Sequence, residues 1–290
     1  MRLAVFGATG TIGRALVPVL AREHDVLAVS RQERQTGDGA TWVRADVADA
    51  DAVRRVLEGV DAAYYLVHSL GARDFERRDA EAAETMAREA ARAGVQQLVY
   101  LGGLGDDSPN LSPHLRSRLE TGQRLASSDV PVTTVQAAMV VGRGSAAFET
   151  IVALVDRLPG LICPRWVSTR TQPIALADIV RFLAGVCGRE ETLGQTFDAG
   201  GPEVMTYRQM IEKVARLRGR RPLIVEVPIL SPRLSSYWLH LVTPVKAAVA
   251  RPLIEGLRNE TIAKDERLRA LVPFALMSFD EAARQALARA

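Results

Sequence analysis

Lysine is nearly missing from this chain. Of 37 Lys and Arg residues only Lys213, Lys246 and Lys264 are lysine, so the first 212 residues contain none. That excludes a P-loop lysine, a Schiff-base lysine or a lysine general base from the first two thirds of the protein. An arginine bias is otherwise bland, and it informs only where a motif demands lysine. Cysteine is as scarce: Cys163 and Cys187 form no Cys-x-x-Cys pair, and the four histidines are scattered. Neither a metal centre nor a disulfide scaffold is suggested, and a reducing cytoplasm fits. Aromatics make up only 5% of the residues, which favours an α/β architecture over an aromatic-rich β-sandwich. The longest uncharged stretches, Val130–Gly142 and Leu234–Val245, are too short to span a bilayer. Met1-Arg2 runs straight into an apolar strand rather than a signal peptide. A soluble protein with no membrane span is expected.

Acids and bases are well mixed, with a net charge of +3. The one dense basic stretch, Arg216, Arg218, Arg220 and Arg221, reads as a solvated helix end rather than a surface for nucleic acid. The hydrophobic content, 48%, suffices for a sizeable core. No internal repeat or low-complexity linker separates the halves, which predicts that they pack closely.

Apolar runs and helical patterns alternate through the first 145 residues. Strands are predicted at Leu3–Phe6, Val26–Ser30, Trp42–Ala45, Ala62–Val67, Gln97–Leu101 and Val132–Val141. Their runs are continuous, as in strands buried on both faces. Helices are predicted at Ile12–Arg22, kinked by Pro18, at Ala50–Leu57 behind Asp49, at Asp74–Ala93 closed by Gly94, and at Pro113–Ser127 behind Ser112. The alternation predicts a doubly wound parallel sheet. Beyond it lie helix Ala147–Leu158, short strands Pro173–Leu176 and Thr196–Ala199, helix Ile179–Cys187 with Asp178 near its start, helix Tyr207–Leu217 after Thr206, and strand Ile224–Val227. From Ser231 onward the pattern is mostly helical, interrupted by prolines.

The strongest chemical signal is Gly7-Ala8-Thr9-Gly10-Thr11-Ile12-Gly13, which leaves the first strand and opens the first helix. Gly7 permits the tight turn, Gly10 lets backbone approach a pyrophosphate, and Gly13 lets the helix pack against the sheet. Free N–H groups and the helix dipole favour phosphate there. The second strand ends Ser30-Arg31, without the acid that usually bonds an NAD ribose. A hydroxyl and a guanidinium, with Arg34 nearby, suit the 2′-phosphate of NADP(H). Glu33 is the contrary feature, and NAD(H) remains the alternative.

With these residues the chain resembles the short-chain dehydrogenase/reductase superfamily, in its atypical, NmrA-like branch of NAD(P)H-binding proteins. Asp46-Val47 matches the step that meets the adenine. Leu66-Val67-His68-Ser69 takes the place of the loop that passes over the cofactor, and Leu101–Gly105 that of the segment after the fifth strand. Gln136–Gly144 looks like the segment that reaches the nicotinamide. Pro173–Asp178 and Phe197–Pro202 look like the seventh-strand region of extended members, and Arg251–Thr261 like a C-terminal stretch of bacterial ones. The resemblance implies a Rossmann-type α/β domain over residues 1–145. A smaller, mostly helical part, 146–290, would bind substrate or partner, with the region near 173–200 returning to the sheet.

The departure lies in proton transfer. Family enzymes carry a Tyr-x-x-x-Lys pair, and none of the five tyrosines here is followed by lysine four residues later. The helix expected to carry the pair reads His114-Leu115-Arg116-Ser117-Arg118, with His114 and Arg118 one turn apart on one face. The serine expected after strand five is replaced by Gly103, beside Gly102. One reading makes His114 the proton donor, with an ordinary pKa suited to the task, and puts Arg118 on the cofactor ribose. The other leaves His114 on the surface of the first turn. His68 is a rival from the loop over the nicotinamide.

Met139, Phe148, Trp166 and Trp238 are candidate walls of a substrate pocket, against the alternative of ordinary core. Their apolar character points to a small apolar acceptor such as a quinone or ketone. Two functions compete: an NADPH-dependent oxidoreductase, and a non-catalytic NADP(H)-binding regulator working through a protein partner. A nucleotide-sugar epimerase or dehydratase is a weaker third, since it leans hardest on the missing pair. The stretch Tyr237–Leu257 is apolar enough to serve a homo-oligomer interface.

Overall fold

The structure, a computed structural model, describes residues 1–33, 39–69, 74–105, 111–158, 160–227 and 256–288. Arg34, Trp238 and most of the expected helical stretch after Ser231 lie outside the described residues.

Continuous apolar runs become strands covered on both faces. In order come β1 (Arg2–Phe6), α1 (Thr11–Leu20), β2 (Asp25–Ser30), β3 (Thr41–Arg44), α2 (Ala50–Leu57), β4 (Ala62–Tyr65), α3 (Phe75–Ala93), β5 (Gln97–Gly103), α4 (Pro113–Leu125) and β6 (Val132–Ala137). There follow β7 (Val140–Val141), α5 (Ala146–Arg157), β8 (Gly160–Pro164), β9 (Arg170–Thr171), β10 (Ile174–Ala175), α6 (Leu176–Val186), β11 (Thr196–Ala199), β12 (Met205–Thr206), α7 (Tyr207–Leu217), β13 (Leu223–Val227), α8 (Arg267–Leu271) and α9 (Phe279–Leu287). Seven strands form one parallel sheet in the order β3-β2-β1-β4-β5-β6-β11. This is the doubly wound, Rossmann-like arrangement, with the order reversing between β1 and β4, where such sheets bind ligands.

Successive strand residues feed opposite cores. Leu3, Val5, Ala28, Tyr64 and Val99 pack under α1 and α6, while Ala4, Phe6, Leu27, Tyr65 and Tyr100 pack under α2 and α3. Tyr64, Tyr65, Tyr100 and Phe6 are fully buried. Each apolar side chain of that size contributes about 1.5–3 kcal/mol. A third core joins α5, α7 and α9. Three arginines, Arg54 on α2 with Arg88 and Arg92 on α3, close on the buried Glu89 carboxylate and tie the two helices together.

Helix ends follow the expected chemistry. The Asp49 side chain accepts from the N–H groups of Asp51 and Ala52, Ser112 accepts from Leu115, and Gly94 closes α3 at φ 71°. Helix α1 runs from Thr11 to Leu20 with Pro18 inside it. Two expectations need correction. The expected strand Val132–Val141 divides: β6 stays in the main sheet, while β7 pairs with β10 in a separate two-stranded ladder. Helix α6 starts at Leu176, not Ile179. The Asp178 side chain is buried in its first turn and accepts from the Met277 N–H at 2.7 Å. The residues after 145 do not form a detached body, because β11 extends the sheet and α6 packs beside α1.

Candidate active site

The switch in strand order opens a cavity of about 730 Å³ over the C-terminal ends of β1, β2, β3 and β4, within the size range of cofactor sites. The glycine loop forms its floor. Gly7 has φ 89°, and a Cβ there would stand 2.8 Å from the Leu66 backbone; one at Gly13 would stand 2.4 Å from the Gly7 carbonyl oxygen. Only glycine lets these segments meet. Helix α1 has neither a side-chain cap nor an acid in its first turn, so its leading N–H groups stay available for an anion. A cradle that side chains would fill, beside a cavity of this volume, fits a dinucleotide.

Gly7, Thr9, Gly10, Ser30, Arg31, Asp46, Val47, Leu66, Val67 and His68 all line this cavity. The loop's remaining candidates sit elsewhere. Thr11 donates its hydroxyl to the Gly144 carbonyl at 2.6 Å, Ile12 packs against the core, and Gly13 is buried at the helix–loop contact. Ser30 Oγ accepts from the Gln32 N–H, and Asp46 Oδ1 from the Ala48 N–H, so both hold their turns. Arg31 and Glu33 are exposed. Arg77, Arg78 and Glu81 of α3 add a charged wall that sequence reasoning missed, with Asp74 engaging both arginines.

The end of β5 and the start of α4 have a different build. Gly102 and Gly103 end β5; a Cβ at Gly103 would stand 3.1 Å from Leu115 and 3.7 Å from Arg118. A serine there would press on the Leu115 methyl group, which would have to give by a few tenths of an ångström. The Arg118 guanidinium lies 4.9 Å from the centre of the Tyr100 ring, and the Tyr100 hydroxyl donates to the Arg118 carbonyl at 2.8 Å. No carboxylate among the described residues pairs with Arg118.

His114 is no free surface residue. Its Nδ1 stands 3.2 Å from His68 Nε2, and His68 Nδ1 stands 2.6 Å from Asp79 Oδ2. Burial, then His68 and Arg118, push His114 down to about 3 from its ordinary 6.5. Burial lowers His68 too, against the opposing effect of its hydrogen bond to Asp79. Burial raises Asp79, but its bonds to His68 and Ser69 outweigh that and hold it below the usual carboxylate range. His114 is therefore neutral at physiological pH, which corrects the expectation of an ordinary imidazole acid. Asp79 was missed, although its signal was present: it occupies the stripe Phe75, Asp79, Ala82, Ala83, Met86, otherwise the apolar face of α3. An acid there demands a partner.

The described tyrosines offer no substitute. Tyr64, Tyr65, Tyr100 and Tyr207 are all buried, and burial raises each hydroxyl's pKa. Of the candidate pocket walls, Phe148 lies in the third core, with Met139 and Trp166 half-buried against it. Trp166 stacks edge-on to Tyr207 at 6.1 Å, and its buried Nε1 has no partner among the described residues. No group of His, Cys, Asp and Glu among the described residues is arranged to hold a metal ion, and no described helix is long and apolar enough to cross a membrane.

Known proteins share this framework. The family model described as NAD(P)H-binding matches residues 7–151. A (4-alkanoyl-5-oxo-2,5-dihydrofuran-3-yl)methyl phosphate reductase of Streptomyces griseus is 30% identical over 75% of this chain and 74% of its own. The NADH dehydrogenase [ubiquinone] 1 alpha subcomplex subunit 9 of Arabidopsis thaliana is 23% identical over 91% of this chain and 71% of its own. The triphenylmethane reductase of Citrobacter sp., solved with NADP(H), superimposes at a TM-score of 0.78 with 17% identity, covering 99% of this chain and 100% of the other.

Proposed function

The chain belongs to the NAD(P)H-binding family, within the atypical short-chain dehydrogenase/reductase superfamily; from that premise we propose that it is an NADPH-dependent reductase of a small apolar, conjugated acceptor such as a quinone or ketone. The observation that carries this reading is the glycine cradle opening into the cavity that Arg31 and His68 also line. Gly7, Thr9 and Gly10 would hold the pyrophosphate, Ser30 and Arg31 the 2′-phosphate, and Asp46 and Val47 the adenine. Leu66, Val67, His68, Gly102, Gly103 and Arg118 would line the nicotinamide half. When bound, a reduced nicotinamide supplies hydride. The chain's own residues orient it, exclude water and manage the remaining proton. A conjugated acceptor suits this site, since delocalisation lessens the demand on a protein acid. The Streptomyces relative's name likewise describes a ring double bond conjugated with two carbonyl groups. The two free thiols suit a reducing, cytoplasmic setting.

The test is an NADPH-oxidation screen over quinones, ketones and unsaturated lactones, beside binding titrations of both cofactors. Turnover with at least one class, and tighter binding of NADPH than NADH, is expected. Equal affinity for NADH would remove the NADP(H) assignment. A second reading, an NmrA-like redox-sensing regulator acting through a protein partner, draws on the missing tyrosine–lysine pair and on the Arabidopsis relative being named as a subunit. Tight NADPH binding with no turnover in the screen would favour it.

A further inference from the structure

Three titratable side chains from three elements meet in a line: Asp79 on α3, His68 in the loop after β4, and His114 in the first turn of α4. On the reductase reading above, we propose that they form a proton relay, in which His114 Nε2 exchanges a proton with the acceptor and Asp79 is the positioning residue behind it. The hydrogen-bond chain dictates the tautomers. The ionised Asp79 carboxylate only accepts, taking the Ser69 N–H on Oδ1 at 2.9 Å and facing His68 Nδ1 with Oδ2, so His68 Nδ1 carries a proton. In neutral His68 the other nitrogen is then bare, and His114 Nδ1 donates to it. His114 Nε2 is left as a lone pair, with no partner among the described residues. The resting site is therefore a base, and it needs one further proton to act as an acid.

Loading adds that proton at His114 Nε2, and the shared proton moves to His68 Nε2. The positive charge then rests on His68, opposite Asp79, while His114 stays neutral. During reduction the acceptor receives the electron pair with the hydride. The N–H bond at His114 Nε2 breaks as an H–O bond, or H–C for an alkene, forms on the acceptor. The shared proton returns from His68 Nε2 to His114 Nδ1, and one solvent proton reloads the relay. No electron passes through the rings. The charged groups facing the pair are Asp79 from α3 and Arg118 from α4; the ring of Phe75 packs edge-on to His68 at 6.2 Å. Arg118 opposes loading and Asp79 favours it. Reduction should therefore weaken as pH rises through the loading transition, and the reverse oxidation should strengthen.

Two measurements test this. Long-range proton–nitrogen NMR spectra of histidine-labelled protein at alkaline pH should show both His68 and His114 as Nδ1–H tautomers, and Asp79→Asn should release them. An Nε2–H tautomer on either ring in the wild-type protein would overturn the relay. Because Asp79 is buried, its variant risks misfolding, but the wild-type tautomers need no variant. In turnover, His114→Gln should lower kcat about 10²-fold and flatten its pH profile, and Asp79→Asn should move that profile to lower pH. Unaltered profiles in both variants, with NADPH still oxidised, would overturn the relay and leave the reductase standing. If the wild-type protein oxidises no NADPH with any acceptor, the reductase reading fails and the relay falls with it.

Discussion

Two regions at the C-terminal edge of the sheet are made of different material. Around the glycine loop the close contacts fall to backbone: glycines whose missing Cβ atoms leave the space, and N–H groups at the start of α1. Between α3, α4 and the loop after β4 they fall to side chains held by hydrogen bonds between ionisable groups. The backbone region keeps the superfamily's pattern and the side-chain region departs from it. A cradle of glycines tolerates almost no substitution. A proton path needs only groups of suitable pKa at hydrogen-bond distance, and several residue sets meet that need.

Substitutions in each region sharpen the contrast. The largest effect is expected from Gly13→Val, whose side chain would drive into the Gly7 carbonyl. Overpacking of this kind costs about 3 kcal/mol at its upper end, so NADPH affinity should fall about 10²-fold by fluorescence titration. Near-native affinity would show that the cradle yields. Arg31→Ala should weaken NADPH about tenfold and leave NADH unchanged, the value of one charge-assisted hydrogen bond. If both cofactors weaken equally, Arg31 does not read the 2′-phosphate. Arg118→Met should weaken both cofactors alike, by about fivefold, since a ribose contact does not distinguish them; a change in neither would move Arg118 out of the cofactor site.

The smallest effect concerns stability. His114 favours its neutral form in the fold, with a value of about 3 against an ordinary 6.5. Its contribution is complete above pH 6.5 and is lost as pH falls from there toward 3, because only the unfolded chain takes up the proton. The melting temperature should drop across that window, and less steeply in His114→Gln. Parallel curves would mean that His114 is not held neutral.

The sheet was legible because its signals are local. Strands covered on both faces read as unbroken apolar runs, and Asp49, Ser112, Gly94 and Thr206 mark helix ends through bonds to neighbours in sequence. The break between β6 and β7 carries no local signal: β-branched residues dominate both pieces, and only Ala138 and Met139 separate them. Asp178 was placed near a helix start, but its partner, the Met277 N–H, lies 99 residues away and no local pattern announces it. His114 and Arg118 were found from spacing, but their environment was not. The depressed value of His114 comes from burial beneath elements distant in sequence and from His68, 46 residues back.

By itself, the sequence determined the parallel α/β sheet, the glycine loop that turns from β1 into α1, and the loss of the tyrosine–lysine pair. Each is written in neighbouring residues and in the period of the elements. Tertiary structure alone decided what surrounds His114. Strand order β1-β4-β5 brings the loop after β4 beside α4, and α3 packs against both, so Asp79, His68 and His114 meet. Their protonation depends on distances and burial that no single segment encodes.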